Sequence, residues 1–225
     1  MNTDGPEFVR PSSRFATVPR LELQREFPTA HRDRASIEFY PLKPDPFMAD
    51  VLEIGPGRGD FLLSQAENSP EQRFVAIELG KRRYFKLIRR IERRALKNAS
   101  LICGDARLVL PRFVPDASIG AIVVLFPDPW PKRRHAFHRL LQPPFLLELA
   151  RALKPGGNLF LRSDVEEYVL WVKGHAEKMA EFRTVDDHWP YGPVRGEQGT
   201  KLSLYADRQT GLGYQIHGLC LERTP

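Results

Sequence analysis

Short runs of apolar, β-branched residues alternate with longer amphipathic segments along most of the chain. Each apolar run is followed by a stretch in which apolar residues recur at spacings of three and four, which indicates a helix. The predicted strands cover residues 50–54, 73–77, 100–103, 121–126 and 158–162. The predicted helices cover residues 61–67, 81–96, a turn near 108, 144–153 and 166–181. Buried strands separated by helices imply a parallel sheet with helices on both faces and right-handed crossovers.

Two further apolar runs complete the pattern at residues 181–185 and 215–221. With them, the sequence predicts a Rossmann-like α/β fold: a doubly wound, mostly parallel seven-stranded sheet that ends in an antiparallel hairpin. The chain has 225 residues, which suits one such domain at residues 46–225. Residues 1–45 contain six prolines without a sustained period, so we expect an extended or mobile basic arm there.

The composition is that of a globular protein, with 42% hydrophobic and 28% charged residues. No apolar run approaches the roughly 18 residues that cross a membrane, and the N-terminal residues lack the apolar core of a secretory signal. We therefore expect a cytoplasmic protein without a membrane partner. Cys103 and Cys220 lie in apolar runs without metal-binding spacing, which predicts buried free thiols and no metal site.

Positive charge is concentrated in two places. The formal net charge is +6, yet Lys81–Lys97 alone carries nine basic residues and one acid, a net charge of +8. In this basic helix, one apolar stripe separates the cationic faces. The stripe is formed by Tyr84, Leu87, Ile88, Ile91 and Ala95. The second cluster comprises Lys132, Arg133, Arg134, His135 and Arg139. A solvated surface helix is the plain alternative for the first group, but two such clusters favour a polyanionic partner.

A glycine-rich turn follows the first strand in the segment VLEIGPGRGDF, with Gly55, Gly57 and Gly59. Glycine permits a tight bend and lets a ligand lie against the backbone, while the next helix offers its N-terminal amides to an anion. The spacing is GxGxG and not the GxGxxG of a dinucleotide site. This disfavours a nicotinamide oxidoreductase and suits a nucleoside ligand that carries a single carboxylate.

Acidic residues follow or occupy the strands around this turn. Glu78 ends the second strand, 19 residues after Gly59, where an acid can accept both ribose hydroxyl hydrogens. Asp105 follows the third strand and can meet an adenine amino group or the neighbouring backbone. Glu53, inside the first strand, is a candidate for the ligand's amino group. Each acid alone is more often a cap or surface residue, but together they outline a nucleoside pocket.

The fourth strand runs directly into PDPWPKRRH. Asp128 lies between two prolines whose fixed φ angles hold it beyond the strand end, and Trp130 offers a wall or stacking surface. A turn of Asp and Pro is commonplace. Its position at this end of the sheet, followed by a basic run, predicts that Asp128 lies where an acceptor substrate binds beside the nucleoside ligand.

The motifs together resemble the bacterial tRNA (guanine-N7)-methyltransferases, which are class I S-adenosylmethionine-dependent methyltransferases. The resemblance rests on VLEIGPGRGDF, FVAIELG, LFPDPWPKRRH, LKPGG, LRSDVEEY, GTKLS and LGYQIHGLCLER, from about residue 50 to 223. It implies S-adenosyl-L-methionine as cofactor and tRNA as partner. The residues it implies around the cofactor and active centre are Glu53, Glu78, Asp105 and Asp128, and those it implies for the RNA are Lys132, Asp164 and Thr200 to Ser203, including Lys201.

Three features depart from the family's usual pattern. Thr200 and Lys201 are followed by Leu202 and Ser203, where the family usually has Phe and Glu. Pro131 replaces the usual His after the Trp, and residues 136–138 (Ala-Phe-His) interrupt the basic run. These changes concern the RNA side of the site, because the glycine turn and its acids are intact.

The resemblance implies transfer of a methyl group to N7 of a guanine in tRNA. That nitrogen already offers a lone pair, so no general base is needed, and positioning can supply roughly 7 to 11 kcal/mol. We expect Asp128 to accept hydrogen bonds from the guanine and orient it, with Asp164 in support. The alternatives are a methyltransferase of a protein or small molecule and a non-catalytic RNA-binding relative. Either a monomer or a homodimer is compatible with the sequence.

Overall fold

The computed structural model describes residues 37–40, 48–186, 189–191 and 215–225, which form a sheet flanked by helices. Its strands are β1 (Glu38–Tyr40), β2 (Val51–Ile54), β3 (Phe74–Glu78), β4 (Ala99–Cys103), β5 (Ile119–Leu125), β6 (Leu153–Ser163), β7 (Phe182–Val185) and β8 (His217–Arg223). Its α-helices are α1 (Asp60–Asn68), α2 (Lys81–Arg93), α3 (Ala106–Phe113), α4 (Pro143–Ala152) and α5 (Glu166–Ala176). A 3₁₀ helix spans Arg133–His138.

The strands lie in the order β1-β4-β3-β2-β5-β6-β8-β7. Strands β4, β3, β2, β5 and β6 are parallel, and β8 lies antiparallel between β6 and β7. The carboxyl ends of the five parallel strands therefore lie at the same edge of the sheet. The chain adds β3 and β4 on one side of β2 and then β5 and β6 on the other, so the direction of winding reverses between β2 and β5. This arrangement confirms the predicted doubly wound α/β fold with its closing hairpin, and it places the ligand edge at the ends of β2 and β5.

The described residues form eight strands, one more than predicted. Strand β1 pairs antiparallel with β4, with Glu38 opposite Cys103. It lies inside the segment predicted to be an arm, where three residues were too few to show a strand period. Residues 1–36 and 41–45 of that segment lie outside the described residues.

Two apolar layers cover the sheet. Helices α1 and α2 bury Phe61, Leu62, Tyr84 and Leu87 against one face. Helices α3, α4 and α5 pack against the other face through residues such as Val109, Leu149 and Val172. The apolar stripe predicted for the basic helix is confirmed except at its end, because α2 stops at Arg93 and Ala95 is exposed with a φ of 52°.

Several boundaries differ from the prediction. The predicted turn near residue 108 is a full helix, α3, whose first turn is capped by Asp105. Helix α5 ends at Ala176 and not at 181, and β6 begins directly after α4 at Leu153. Cys103 and Cys220 are buried free thiols, as expected. Within the described ranges, no helix is long and apolar enough to cross a membrane and no cluster of three potential metal ligands occurs.

Candidate cofactor and substrate site

A cavity of about 860 Å³ opens at the ends of β2 and β5. Its wall is formed by the glycine turn, the end of β5 with the following turn, and one face of α2. The lining residues are Glu53, Gly55, Pro56, Gly57, Arg58, Asp60, Arg83, Lys86, Leu87, Arg90, Leu125, Phe126 and Asp128. The cavity therefore lies at the switch point where α/β sheets bind their ligands.

The glycine turn presents bare backbone to the cavity. Gly55 and Gly57 have φ angles of 75° and 57°, which favour glycine, and a Cβ at either position would meet nothing within 4 Å. The space in front of both residues is thus open to a ligand. Gly59 does not line the cavity: it closes the turn through its amide to the Pro56 carbonyl at 2.7 Å, and a Cβ there would overlap Leu87 of α2.

Glu53 lines the cavity as an almost fully buried carboxyl group. Its Oε2 atom is buried and has no hydrogen-bond partner in the described part of the chain. Burial raises the pKa of Glu53 to about 8, and the nearby carboxylates of Asp60 and Glu78 act in the same direction. A hydrogen bond with the Leu62 backbone opposes this shift. A cationic ligand group would both satisfy the orphaned oxygen and favour the ionised carboxylate.

Glu78 is buried behind the glycine turn and is absent from the cavity lining of the described residues. Its Oε2 accepts a hydrogen bond from the Gly57 amide at 3.2 Å, and its Oε1 accepts one from the Gly80 amide at 2.7 Å. Glu78 therefore connects the end of β3 to the glycine turn. In this geometry it holds the turn in place, and its predicted role toward a ribose stays a prediction.

Asp105 is the N-cap of α3 and accepts a hydrogen bond from the Arg107 amide at 3.0 Å. Its carboxylate also pairs with the Arg107 guanidinium, with Nη2 and Oδ2 at 2.7 Å, and both side chains are buried. The sequence suggested either an adenine amino group or the neighbouring backbone as the partner of Asp105, and the structure shows the contact with the neighbouring backbone. Among the described residues, Asp105 does not line the cavity.

Asp128 lines the cavity from the PDPW turn, residues 127–130. Two non-glycine residues adopt the left-handed region here: Phe126, just before the turn, with a φ of 50°, and Trp130, at its end, with a φ of 43°. Such conformations cost free energy and persist only where the surroundings enforce them. The Phe126 amide donates to the Arg162 carbonyl of β6 at 2.8 Å, which fixes the start of the turn to the sheet.

Arg139 fixes the other end of the PDPW turn. Its Nε donates to the Pro129 carbonyl at 2.9 Å, and its Nη2 donates to the Trp130 carbonyl at 3.4 Å. Its guanidinium lies 4.8 Å from the centroid of the Trp171 ring. Arg139 is only 3% exposed, so its inclusion in the basic cluster predicted to favour a polyanionic partner is wrong. A buried guanidinium is stable here because carbonyl oxygens and aromatic faces replace water.

The basic helix contributes cations to the cavity, a role that the sequence analysis missed. Arg83, Lys86 and Arg90 of α2 line it together with Arg58 of the glycine turn. Arg90 also donates to the Arg58 carbonyl and to Asp60 Oδ1, the latter at 3.1 Å, and so joins α2 to the turn. The signal was the spacing of residues 83, 86 and 90, which places them on one helical face beside the buried stripe.

The predicted RNA-binding residues lie around this edge only in part. Lys132 is exposed and precedes the 3₁₀ helix. Asp164 directly follows β6 and is half-buried, but it does not line the cavity formed by the described residues. Thr200, Lys201 and Ser203 lie outside the described residues.

The cavity suits S-adenosylmethionine on two observations. The open space before Gly55 and Gly57 accepts a ligand against the backbone, and the orphaned oxygen of Glu53 matches the ammonium group of the methionine part. The cations Arg58 and Arg83 suit its carboxylate.

Solved structures share this fold. A SAM-dependent methyltransferase from Aquifex aeolicus aligns with a TM-score of 0.51 at 20% identity, over 78% of this chain and 82% of the other. TrmN from Thermus thermophilus aligns with a TM-score of 0.53 at 21% identity, over 78% of this chain and 44% of the other. The fold is thus that of the class I S-adenosylmethionine-dependent methyltransferases.

Sequence comparison identifies the family within that class. A family model described as "Putative methyltransferase" matches residues 48–217. The tRNA (guanine-N7)-methyltransferase of Syntrophotalea carbinolica is 35% identical over 78% of this chain and 74% of its own length. Those of Nitrosomonas europaea and Rhizobium meliloti are 42% and 36% identical, over 77% and 85% of this chain and 76% and 81% of their own lengths. The chain belongs to the tRNA (guanine-N7)-methyltransferase family.

Proposed function

We propose that this protein transfers a methyl group from S-adenosylmethionine to N7 of a guanine in tRNA, with Asp128 orienting the guanine. The observation that carries the proposal is a single cavity that joins a cofactor wall to an acceptor wall. Gly55, Gly57 and the carboxyl group of Glu53, whose Oε2 has no partner among the described residues, form the first, and Asp128 of the PDPW turn belongs to the second. Family membership supports the same reaction.

Chemically, the reaction requires position more than proton transfer. The cofactor supplies an electrophilic methyl group on a sulfonium. Guanine N7 has a free lone pair, so the ring gains the methyl group and a positive charge at N7 without first losing a proton. An Asp128 carboxylate can accept hydrogen bonds from the N1 and N2 hydrogens of guanine, hold the ring in place and stabilise the charge that develops on it.

RNA recognition would rest on the cations around the cavity and on the predicted substrate residues. Lys132 is exposed beside the PDPW turn, and Asp164 follows the neighbouring strand. Thr200, Lys201 and Ser203 complete the proposed RNA contacts. The outward cations of α2, among them Arg82, Arg89 and Arg93, can reach phosphates beyond the cavity, so binding should weaken steeply with salt.

Asp128→Asn tests the proposed role of the carboxylate. Asparagine keeps the size of the side chain but loses the charge and one acceptor, so we expect kcat/KM for tRNA to fall about 10- to 150-fold, as for loss of hydrogen bonds to a charged group. Affinity for S-adenosylhomocysteine, measured by calorimetry, should change much less. Full activity of Asp128→Asn would contradict the orienting role.

The identity of the methyl acceptor, the role of the N-terminal segment, the cellular location and the oligomeric state are further proposals. Parallel assays with tRNA, bulk protein and small metabolites would identify the acceptor, and incorporation into protein or metabolites alone would contradict the proposal. We also propose that arginines of the arm predicted within residues 1–45 assist RNA binding, although its acidic residues balance their charge, and that the protein acts in the cytoplasm as a monomer or homodimer. Deletion of residues 1–36 should weaken tRNA binding while leaving cofactor affinity unchanged.

A further inference from the structure

Three aromatic rings lie in a row on the surface beside the PDPW turn. His138 lies between Trp130 and Phe137, with ring centroids 4.8 and 4.0 Å apart and interplanar angles of 37° and 38°. Trp130 is 37% exposed and Phe137 is 55% exposed. We call these three residues the ring row. Trp130 and Phe137 thus keep part of their apolar surface in contact with water.

The ring row is held in place before any partner arrives. Arg139 binds the Trp130 carbonyl from beneath, and the side chain of Gln142 donates to the Ala136 carbonyl at 2.6 Å. His135 packs edge-on against Trp130, with ring centroids 5.9 Å apart. A surface that is already ordered loses little conformational entropy on binding.

Exposed cations lie in the same segment of the chain as the ring row. Lys132, Arg133 and Arg134 are all exposed and precede Phe137 within the same short segment. Aromatic faces interleaved with cations are the combination that binds unpaired nucleic acid, because bases stack on the rings while phosphates pair with the cations. The charge complementarity favours RNA as the occupant over an apolar protein partner.

The location of the ring row relates it to the active centre. Trp130 is two residues after Asp128, which lines the cavity. A guanine stacked in folded RNA must leave its stack before N7 can enter a cavity, at a cost of a few kcal/mol. Rings this close to Asp128 along the chain can offset this cost by stacking a base that the opening leaves unpaired.

We propose that the ring row is a stacking surface for an unpaired base of the RNA substrate that neighbours the methylated guanine. The inference rests on the proposed function, because it assumes an RNA acceptor. It assigns Phe137 and His138, which interrupt the basic run in the sequence, a role in specificity for opened RNA. Their contribution to binding is independent of salt, unlike that of the cations.

The test compares Phe137→Ala, Phe137→Leu and Phe137→Trp by tRNA affinity at several salt concentrations. Stacking on one ring predicts that Phe137→Ala binds tRNA about 5- to 150-fold more weakly, with an unchanged slope of log K against log salt. Phe137→Leu keeps apolar volume without a π face and should bind as weakly as the alanine variant, whereas Phe137→Trp should restore binding. Arg133→Ala should instead reduce the salt slope by about one. Leu147→Ala, which removes an exposed apolar side chain from α4, is the matched control and should bind normally.

A second readout uses a short single-stranded RNA that contains 2-aminopurine. Stacking predicts that the wild type quenches its fluorescence and that Phe137→Ala does not. Wild-type affinity and quenching in Phe137→Ala, or retained binding in Phe137→Leu, would overturn the stacking proposal even if the enzyme methylates tRNA. Conversely, normal quenching without any methylation of tRNA would contradict the proposed function and leave the stacking surface intact.

Discussion

Replacing Glu53 by Gln should stabilise the protein and weaken its cofactor binding at the same time. The carboxyl group of Glu53 is almost fully buried in the cavity wall, with one oxygen unpartnered. Glutamine has nearly the same shape but cannot ionise. The substitution therefore removes the cost of keeping a titratable acid in this environment without opening a cavity.

The magnitude follows from the pKa of Glu53. Burial raises this pKa from 4.5 to about 8, so the folded state binds a proton that the unfolded chain releases. Stability from this group is thus greatest below pH 4.5, falls as the pH rises toward 8 and is constant above it. The resulting cost is about 1 kcal/mol at pH 5 and about 4 kcal/mol at pH 7.5. Any packing change in Glu53→Gln is the same at both pH values.

Urea denaturation followed by tryptophan fluorescence measures this effect. The gain in the free energy of unfolding of Glu53→Gln over the wild type should be about 3 kcal/mol larger at pH 7.5 than at pH 5. Glu71→Gln, at an exposed glutamate, controls for the amide substitution. In calorimetry, Glu53→Gln should bind S-adenosylhomocysteine about 10- to 150-fold more weakly, because the ligand ammonium loses a charged partner. A stability gain that does not vary with pH would show that Glu53 does not titrate with a raised pKa in the folded protein.

Three further substitutions test how the site is supported. Gly59→Ala should lower the free energy of unfolding by about 1–3 kcal/mol in denaturation experiments, because a φ of 75° is strained for alanine and the new Cβ would overlap Leu87. Wild-type stability of this variant would contradict the expectation. Arg139→Leu should reduce kcat about 10-fold or more with little change in cofactor affinity, because the PDPW turn loses two hydrogen bonds. An unchanged kcat would show that Arg139 is not needed to fix the turn. Arg107→Leu should destabilise the protein by about 3–5 kcal/mol by leaving the buried Asp105 carboxylate without its ion pair. The double substitution with Asp105→Asn should recover part of that loss, and equal losses in both variants would argue against the pair.

The sequence was most informative about the parallel core of the fold. Strands β2 to β6 are apolar on both faces and alternate with helices, so periodicity alone predicted their order of appearance and the sheet class. It could not predict β1, which is three residues long and gains its stability only by pairing with β4. It also placed the end of α2 too late, because the left-handed conformation of Ala95 has no signature in residue type.

Site residues could be predicted where their position along the chain determines their place at the sheet edge, and less well where tertiary contacts determine what the side chain binds. Gly55, Gly57 and Asp128 follow strand ends, and the topology alone brings them to one cavity. Glu78 ends β3 and Asp105 follows β4, but backbone amides and Arg107 bind their carboxylates instead. Arg139 reads as one more surface cation in the sequence, and only the tertiary structure shows that it is buried beneath the PDPW turn.

We propose that this cavity directs a methyl group to N7 of a guanine in tRNA. Incubating the protein with unmodified tRNA and methyl-labelled S-adenosylmethionine, then reducing the RNA and treating it with aniline, cleaves the chain only where guanine carries an N7 methyl group. Under this proposal, we expect incorporated label and cleavage at a guanine, both strongly reduced by Asp128→Asn. Label without cleavage, or cleavage that Asp128→Asn leaves unchanged, would contradict it.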